Sequence, residues 1–210
     1  MLKSVIFDFD GTLVDSLEVF ISAFNKLADK HHYNKIKVEE LDHLKSLSIK
    51  ERCVYLNFPL YKIPFISPEL LSLYKQAIKD ISFMDGIKEM LTQLHAAGYE
   101  LAIISSNAEK NIQEFLLHND IQHISTIMCS NKIFGKHRMI TKFLKKKKLD
   151  SSQVIYVGDE ERDVVASKKS GIKVIWVGWG YDSLEIAKKA RPDFVVDQPN
   201  EIMSVLESLK

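Results

Sequence analysis

From residue 84 onward, short apolar runs alternate with stretches of helical periodicity. Glu100-Leu101-Ala102-Ile103-Ile104 reads as a buried strand, set apart by Gly98 from a helix over Ile87 to Ala97. Further strands are expected at Thr126 to Cys129, Val154 to Val157, Val174 to Val177 and Phe194 to Val196. Helical patterns fill the gaps at Glu109 to His118, Met139 to Lys148, Val164 to Ser170, Ser183 to Lys189 and Ile202 to Leu209. Strands that alternate with helices imply crossover units and a mainly parallel sheet covered on both faces. The predicted core is an α/β, Rossmann-like three-layer sandwich. In such sheets ligands bind beyond the carboxyl ends of the strands.

Residues 15–83 break this rhythm. Val19, Phe20, Ala23, Phe24 and Leu27 recur at helical spacing, and Leu41, Leu44 and Leu47 suggest a second helix. Leu70, Leu71, Leu73, Tyr74 and Ile78 suggest a last one, opened by Ser67 and Pro68 as cap and first helical residue. Asn57 to Pro64 reads as a loop or sharp turn, and no buried strand is expected. The predicted organisation is a core over 1–14 and 84–210 and a small helical cap over 15–83, with hinges near Val14-Asp15 and Phe83-Asp85.

The first apolar run, Val5-Ile6-Phe7, ends in Asp8-Phe9-Asp10-Gly11-Thr12. Alternation puts the two acids on one face of the strand end, before a turn at Gly11. Burying two carboxylates is costly without positive charge nearby, and a divalent metal is the simplest partner. Capping of a turn or helix is the competing reading, disfavoured because the acids terminate an apolar strand. Three further groups should meet them at the strand ends. Ser105-Ser106-Asn107 follows the second core strand and opens a helix, where hydroxyls and free N–H groups form an anion site; an ordinary cap centred on Asn107 is compatible with that. Lys136 follows Phe134-Gly135, with Lys132 and Lys142 as rivals. Gly158-Asp159-Glu160-Glu161-Arg162-Asp163 follows the fourth core strand and supplies more acids, which a helix start also favours.

Composition narrows the setting. Hydrophobic residues make up 46% of the 210, enough for a core, and 29 basic against 28 acidic residues give a net charge of +1. That balance offers no electrostatic case for nucleic acid or an anionic membrane. The run Lys145 to Lys148 is read as a solvated last helical turn, where cations suit the dipole. His31-His32 is read as solvated or packed, and Trp176 and Trp179 as core or rim packing. Cys53 and Cys129 show no metal-ligand spacing and no disulfide framework. Asp8 and Asp10 interrupt the only apolar stretch near the start, and no stretch is long enough to span a bilayer. A cytoplasmic protein is expected, with a monomer preferred because no coiled-coil heptad appears.

The ordered set of Asp-x-Asp-Gly-Thr, a serine ending an apolar strand, a lysine, and Gly-Asp-x-x-x-Asp resembles the haloacid dehalogenase-like hydrolase superfamily. The insert lies where that family places a helical cap, and the nearest resemblance is to its phosphoglycolate phosphatase-like and β-phosphoglucomutase-like branch. The resemblance implies Asp8 as a nucleophile that forms an aspartyl-phosphate, and Asp10 as proton carrier and, through its carbonyl, metal ligand. It implies Asp159 as a direct Mg²⁺ ligand and Asp163 as support for the metal shell or for Lys136. Ser105, Ser106, Asn107, Gly11 and Thr12, with Lys136, are the implied phosphate-binding set; Glu160 and Glu161 are left as bystanders or outer support. Haloacid dehalogenases typically lack an acid at the place of Asp10, because a halide leaves without a proton, so Asp10 favours phosphoryl transfer. The expected substrate is a small phosphorylated metabolite. A phosphomutase and a non-catalytic binding module on the same fold are the alternatives.

Overall fold

The computed structural model describes residues 1–130 and 134–209. Lys132, one rival for the active lysine, lies outside them. The core is a six-stranded, all-parallel sheet made of β1 (Ser4–Phe7), β4 (Glu100–Ser105), β5 (Ile124–Cys129), β6 (Val154–Gly158), β7 (Lys173–Val177) and β8 (Phe194–Val196), in the order β5-β4-β1-β6-β7-β8. Side chains alternate between the faces. Val5, Phe7, Leu101, Ile103, Ile155 and Val157 enter one apolar layer; Ile6, Ala102, Ile104, Val154, Tyr156 and Trp176 enter the other. Both layers are covered by helices: α5 (Ile87–Ala96), α6 (Glu109–His118), α7 (Lys136–Lys147), α8 (Glu161–Lys169), α9 (Leu184–Ala190) and α10 (Glu201–Glu207). Burial on both sides explains why these strands read as continuous apolar runs rather than alternating ones.

The register places the chemistry. Phe7 stands level with Ile103 on one side and Val157 on the other. The Asp8 N–H continues the ladder by donating to the Val157 carbonyl at 2.9 Å. Asp8, Ser105 and Asp159 therefore emerge at one end of three adjacent strands. The chain runs from β1 to β4 and β5 on one side, then crosses to β6 on the other, so this end is the topological switch point of the sheet.

Between β1 and β4 lie α1 (Leu17–His31), α2 (Leu41–Lys45), α3 (Ile49–Tyr55) and α4 (Ile63–Gln76). Phe24, Ala28, Ile36, Leu44 and Leu56 form a small apolar cluster of their own there. Two features depart from the sequence expectation. Helix α4 begins before Ser67 and carries Pro68 inside it. Pro64 sits in the first turn, where a missing N–H costs nothing, and the Ser67 hydroxyl donates to the Ile63 carbonyl at 2.7 Å. The second is α3, which opens with a capping box between Ser48 and Glu51. A two-residue antiparallel ladder, β2 (Val14–Asp15) with β3 (Ser82–Phe83), ties together the two connections that lead into and out of the insert.

The insert docks on the loop after β7. The Ser183 N–H donates to the Lys45 carbonyl at 2.9 Å, and the Lys45 ammonium donates to the Gly180 carbonyl at 3.0 Å. The Arg52 guanidinium pairs with the Asp182 carboxylate. Among the described residues, no helix is long and apolar enough to cross a membrane.

Phe115 joins core to connection, with its ring edge-on to Phe9 at 5.4 Å and to Phe83 at 4.8 Å. It is buried. Phe115→Ala should lower unfolding stability by about 3–5 kcal/mol in urea titrations, the usual cost of an emptied aromatic site. A loss under about 1 kcal/mol would show that this junction collapses without penalty.

Candidate active site

Asp8 and Asp10 leave β1 with different surroundings. Asp8 is buried; one carboxylate oxygen accepts from the Phe9 N–H at 2.7 Å, and the other pairs with the Lys136 ammonium. Lys136 is the first residue of α7, earlier than the helix start expected at Met139, and is itself buried. Its ammonium also pairs with Asp163. Burial works against the charged lysine, but the carboxylates of Asp163 and Asp8 outweigh it and hold the ammonium above its ordinary pKa.

Asp10 is held by three neutral donors instead. Oδ1 accepts from the Tyr74 hydroxyl at 2.6 Å and from the Ser16 hydroxyl at 2.8 Å; Oδ2 accepts from the Asn107 carboxamide at 2.9 Å. Because Ser16 spends its single proton on Asp10, the Tyr181 hydroxyl at 2.7 Å must donate to Ser16. Burial raises the Asp10 pKa most strongly. The Tyr74 hydrogen bond opposes it, the Asp8 charge adds to it, and Asn107 and Ser16 oppose it; the net direction is upward.

Asp163, Asp8 and Glu160 act on the Lys136 charge, and Asp159 adjoins those acids; all four acids are buried. Arg162 pairs with Glu160 and donates to the Ser106 hydroxyl at 2.8 Å. With every one of these acids ionised, four negative charges face two positive ones, Lys136 and Arg162, among the described residues. Burial raises Asp163 to about 7 against the pull of Lys136, and raises Asp159 well above the usual range. The unbalanced charge matches what one divalent cation supplies. Asp8, Glu160 and Asp163 each bring a carboxylate oxygen within 4.8 Å of the others. An all-oxygen, anionic donor set fits a hard cation such as Mg²⁺.

Asp159 is not one of those three. Its Oδ1 accepts from the Thr12 hydroxyl and its Oδ2 from the Tyr181 N–H, both at 2.7 Å. Gly11, at φ +73°, leaves room for it: a Cβ there would stand 2.5 Å from an Asp159 oxygen. Thr12 thus meets a carboxylate, and its carbonyl accepts from the Trp179 indole at 3.0 Å, while the Trp176 indole donates to the Asp159 carbonyl at 2.6 Å. Both tryptophans fasten site loops. Glu160, set aside on sequence grounds, stands within the acidic cluster.

The serine segment is arranged for polar work. Ser105 is buried, and its hydroxyl accepts from the Asn107 N–H at 3.1 Å. The cap of α6 is Ala108 rather than Asn107, because the Asn107 carboxamide is spent on Asp10, the Ala108 N–H and Asn111. Lys142, the other rival lysine, is exposed on α7. Sequence reasoning missed Ser16, Tyr74, Arg162 and Tyr181. Tyr74 carried only a helical-periodicity signal, and the other three carried none.

A family model for haloacid dehalogenase-like hydrolases matches residues 5–177. The chain belongs to the haloacid dehalogenase-like hydrolase family. It is 28% identical over 213 residues to a phosphoglycolate phosphatase of Synechococcus elongatus, covering 99% of each protein. It is 20% identical to the pyrophosphatase PpaX of Bacillus mycoides, covering 99% of this chain and 98% of that protein. Among solved structures it resembles a predicted phosphatase from Clostridium acetobutylicum, with a TM-score of 0.83, 25% identity and 99% of both chains covered.

Two variants probe the geometry. Lys136→Met strands two acids in a buried site, and should lower stability by about 3–5 kcal/mol and turnover by about 10²–10³-fold. Unchanged urea midpoint and turnover would contradict the paired geometry. Tyr74→Phe tests Asp10. A proton donor acts below its pKa, so with Asp10 in the role that the family resemblance implies, activity falls as pH rises through it. Loss of the Tyr74 hydroxyl removes a bond that favours the charged form, so this limb of the kcat/KM–pH profile should move to higher pH. A limb that stays put or moves down removes Tyr74 from the Asp10 environment.

Proposed function

We propose that the chain is a Mg²⁺-dependent phosphatase that hydrolyses a phosphate monoester through a phosphoryl group carried on Asp8. The observation that carries this reading is the division of partners between the two acids. Asp8 lies against a buried ammonium, while Asp10 sits among neutral donors with its pKa raised. The first environment suits a nucleophile that must meet an anionic phosphate; the second suits a group that gives and takes a proton.

In the first step an Asp8 carboxylate oxygen attacks phosphorus, the bond from phosphorus to the ester oxygen breaks, and Asp10 gives its proton to the departing alcohol. In the second, Asp10 takes a proton from a water that attacks the same phosphorus; inorganic phosphate leaves and Asp8 is restored. Lys136 offsets charge on Asp8 and on the phosphoryl oxygens. The Ser105 hydroxyl already accepts one hydrogen bond and so has its proton to donate to a phosphoryl oxygen. Mg²⁺ held by Asp8, Glu160 and Asp163, with the Asp10 carbonyl and Asp159 as the ligands that the family resemblance adds, supplies neutralising charge to those oxygens when bound. Asp163 orients Lys136, and Gly11, Thr12 and Arg162 fix the acids around them.

Residues 15–83 act as a cap in this reading, bringing Tyr74 to Asp10 and closing the site. Two relatives are named for different compounds, phosphoglycolate and pyrophosphate, so neither name carries over by itself. What they share is cleavage at phosphorus.

Phosphate release from p-nitrophenyl phosphate should depend on Mg²⁺, stop with EDTA and return when Mg²⁺ is restored. Asp8→Asn should lower it by about 10³-fold or more. Rapid quench followed by mass spectrometry should find a phosphoryl adduct on the peptide that contains Asp8. Retained turnover in Asp8→Asn would falsify the nucleophile assignment.

A further inference from the structure

We propose that the substrate is the phosphate monoester of an apolar alcohol, its aryl or alkyl group seated in a cavity that runs from Asp10 into the helical insert. The proposal rests on the phosphatase reading, which supplies the phosphate end. The cavity measures about 280 Å³ and has two kinds of wall. The core contributes polar residues, including Asp10, Asn107 and Glu160; the insert contributes Phe20, Phe24, Leu44, Ile66, Leu70 and similar side chains. Asp10 is the group that protonates the departing oxygen, so whatever is attached to that oxygen extends past Asp10 into the insert.

The polar groups on the insert side are already engaged. The Ser67 hydroxyl donates to the Ile63 carbonyl, and the Tyr74 hydroxyl to Asp10. The cations that line the cavity, Lys45, Arg52 and Arg162, are turned to the Gly180 carbonyl, Asp182 and Glu160 respectively. A glycolate carboxylate or a row of sugar hydroxyls entering here sheds its water and meets an apolar wall. An apolar group gains from the same transfer. A cavity of ~150 Å³ lined by similar residues holds benzene, so this one has room for about two rings, and a six-carbon chain fits within it.

Steady-state kinetics with Mg²⁺ on methyl, propyl and hexyl phosphate and on phosphoglycolate test the assignment. The expected result is kcat/KM rising about fourfold per added methylene, with phosphoglycolate at least about tenfold below propyl phosphate. A flat series, or phosphoglycolate as the better substrate, overturns it. Leu70→Asn should lower the ratio of hexyl to methyl phosphate turnover, a readout from which a general loss of activity cancels; an unchanged ratio counts against the cavity. Thermal shifts with methyl-, propyl- and hexylphosphonate give a reading without chemistry. Stabilisation that grows with chain length while no ester is turned over sustains the cavity and overturns the phosphatase reading. Absence of chain-length dependence in both experiments overturns the cavity.

Discussion

Lys136 is in the wrong place for a helix and the right place for a charge. It opens α7, where the helix dipole disfavours a cation, and it is buried. Both effects oppose an ammonium there. What overrides them is contact with Asp8 and Asp163, two carboxylates that are buried beside it and would otherwise lack a positive partner. Each of the three groups makes the other two tolerable. Removing one leaves buried charge uncompensated as well as breaking a single contact. The rest of the site is arranged around that mutual dependence: Glu160 with Arg162 on one side, Asp159 with Thr12 and the Tyr181 amide on the other.

The sheet order is what allows these groups to meet. Asp8 follows β1, Asp163 lies in α8 after β6, and Lys136 opens the helix that carries the chain from β5 on one side of β1 to β6 on the other. That crossover is the place where the winding reverses, and its helix begins at the mouth of the crevice that the reversal opens. Parallel pairing puts the strand ends at one edge, and the level register of Phe7, Ile103 and Val157 brings the residues beyond them to similar height. The glycines follow from crowding: at Gly11 a side chain would occupy the space of the Asp159 carboxylate.

The core was legible because buried parallel strands are written as unbroken apolar runs, and each is bounded by a turn residue or a helix start. The charged part of the site was legible for a related reason: an acid directly after such a run has few structural uses. The insert was harder. Pro68 looked like a helix start because proline is favoured there, but Pro64 filled that role. Helix α3 carried a readable signal in Ser48 and Glu51, the two ends of its capping box. The donors around Asp10 gave no local signal. Tyr74 lies 64 residues away and Asn107 lies 97 away, and a tyrosine on an amphipathic helix reads as core until its hydroxyl is seen to have a partner. Glu160 was passed over for the same reason: an acid at the start of a helix is ordinary, and only convergence with Asp8 and Asp163 makes it more.

The insert and the acid are coupled through Tyr74. The contacts that seat the insert on the core, Arg52 with Asp182 and Lys45 with the loop after β7, also fix where α4 lies, and α4 delivers the hydroxyl to Asp10. Moving the insert away takes that hydrogen bond with it and lets water reach Asp10. The two losses act oppositely. The lost hydrogen bond raises the pKa of Asp10, whereas hydration lowers it by removing the burial that is the largest cause of its elevation. Burial is the larger of the two causes, and with the insert seated the net direction is upward. In the proposed reaction the seated arrangement is the one suited to proton donation, and the apolar side of the cavity keeps water from the departing group. In the proposed reaction the same seating contacts thus bear both on which alcohol fits and on the acid that protonates it.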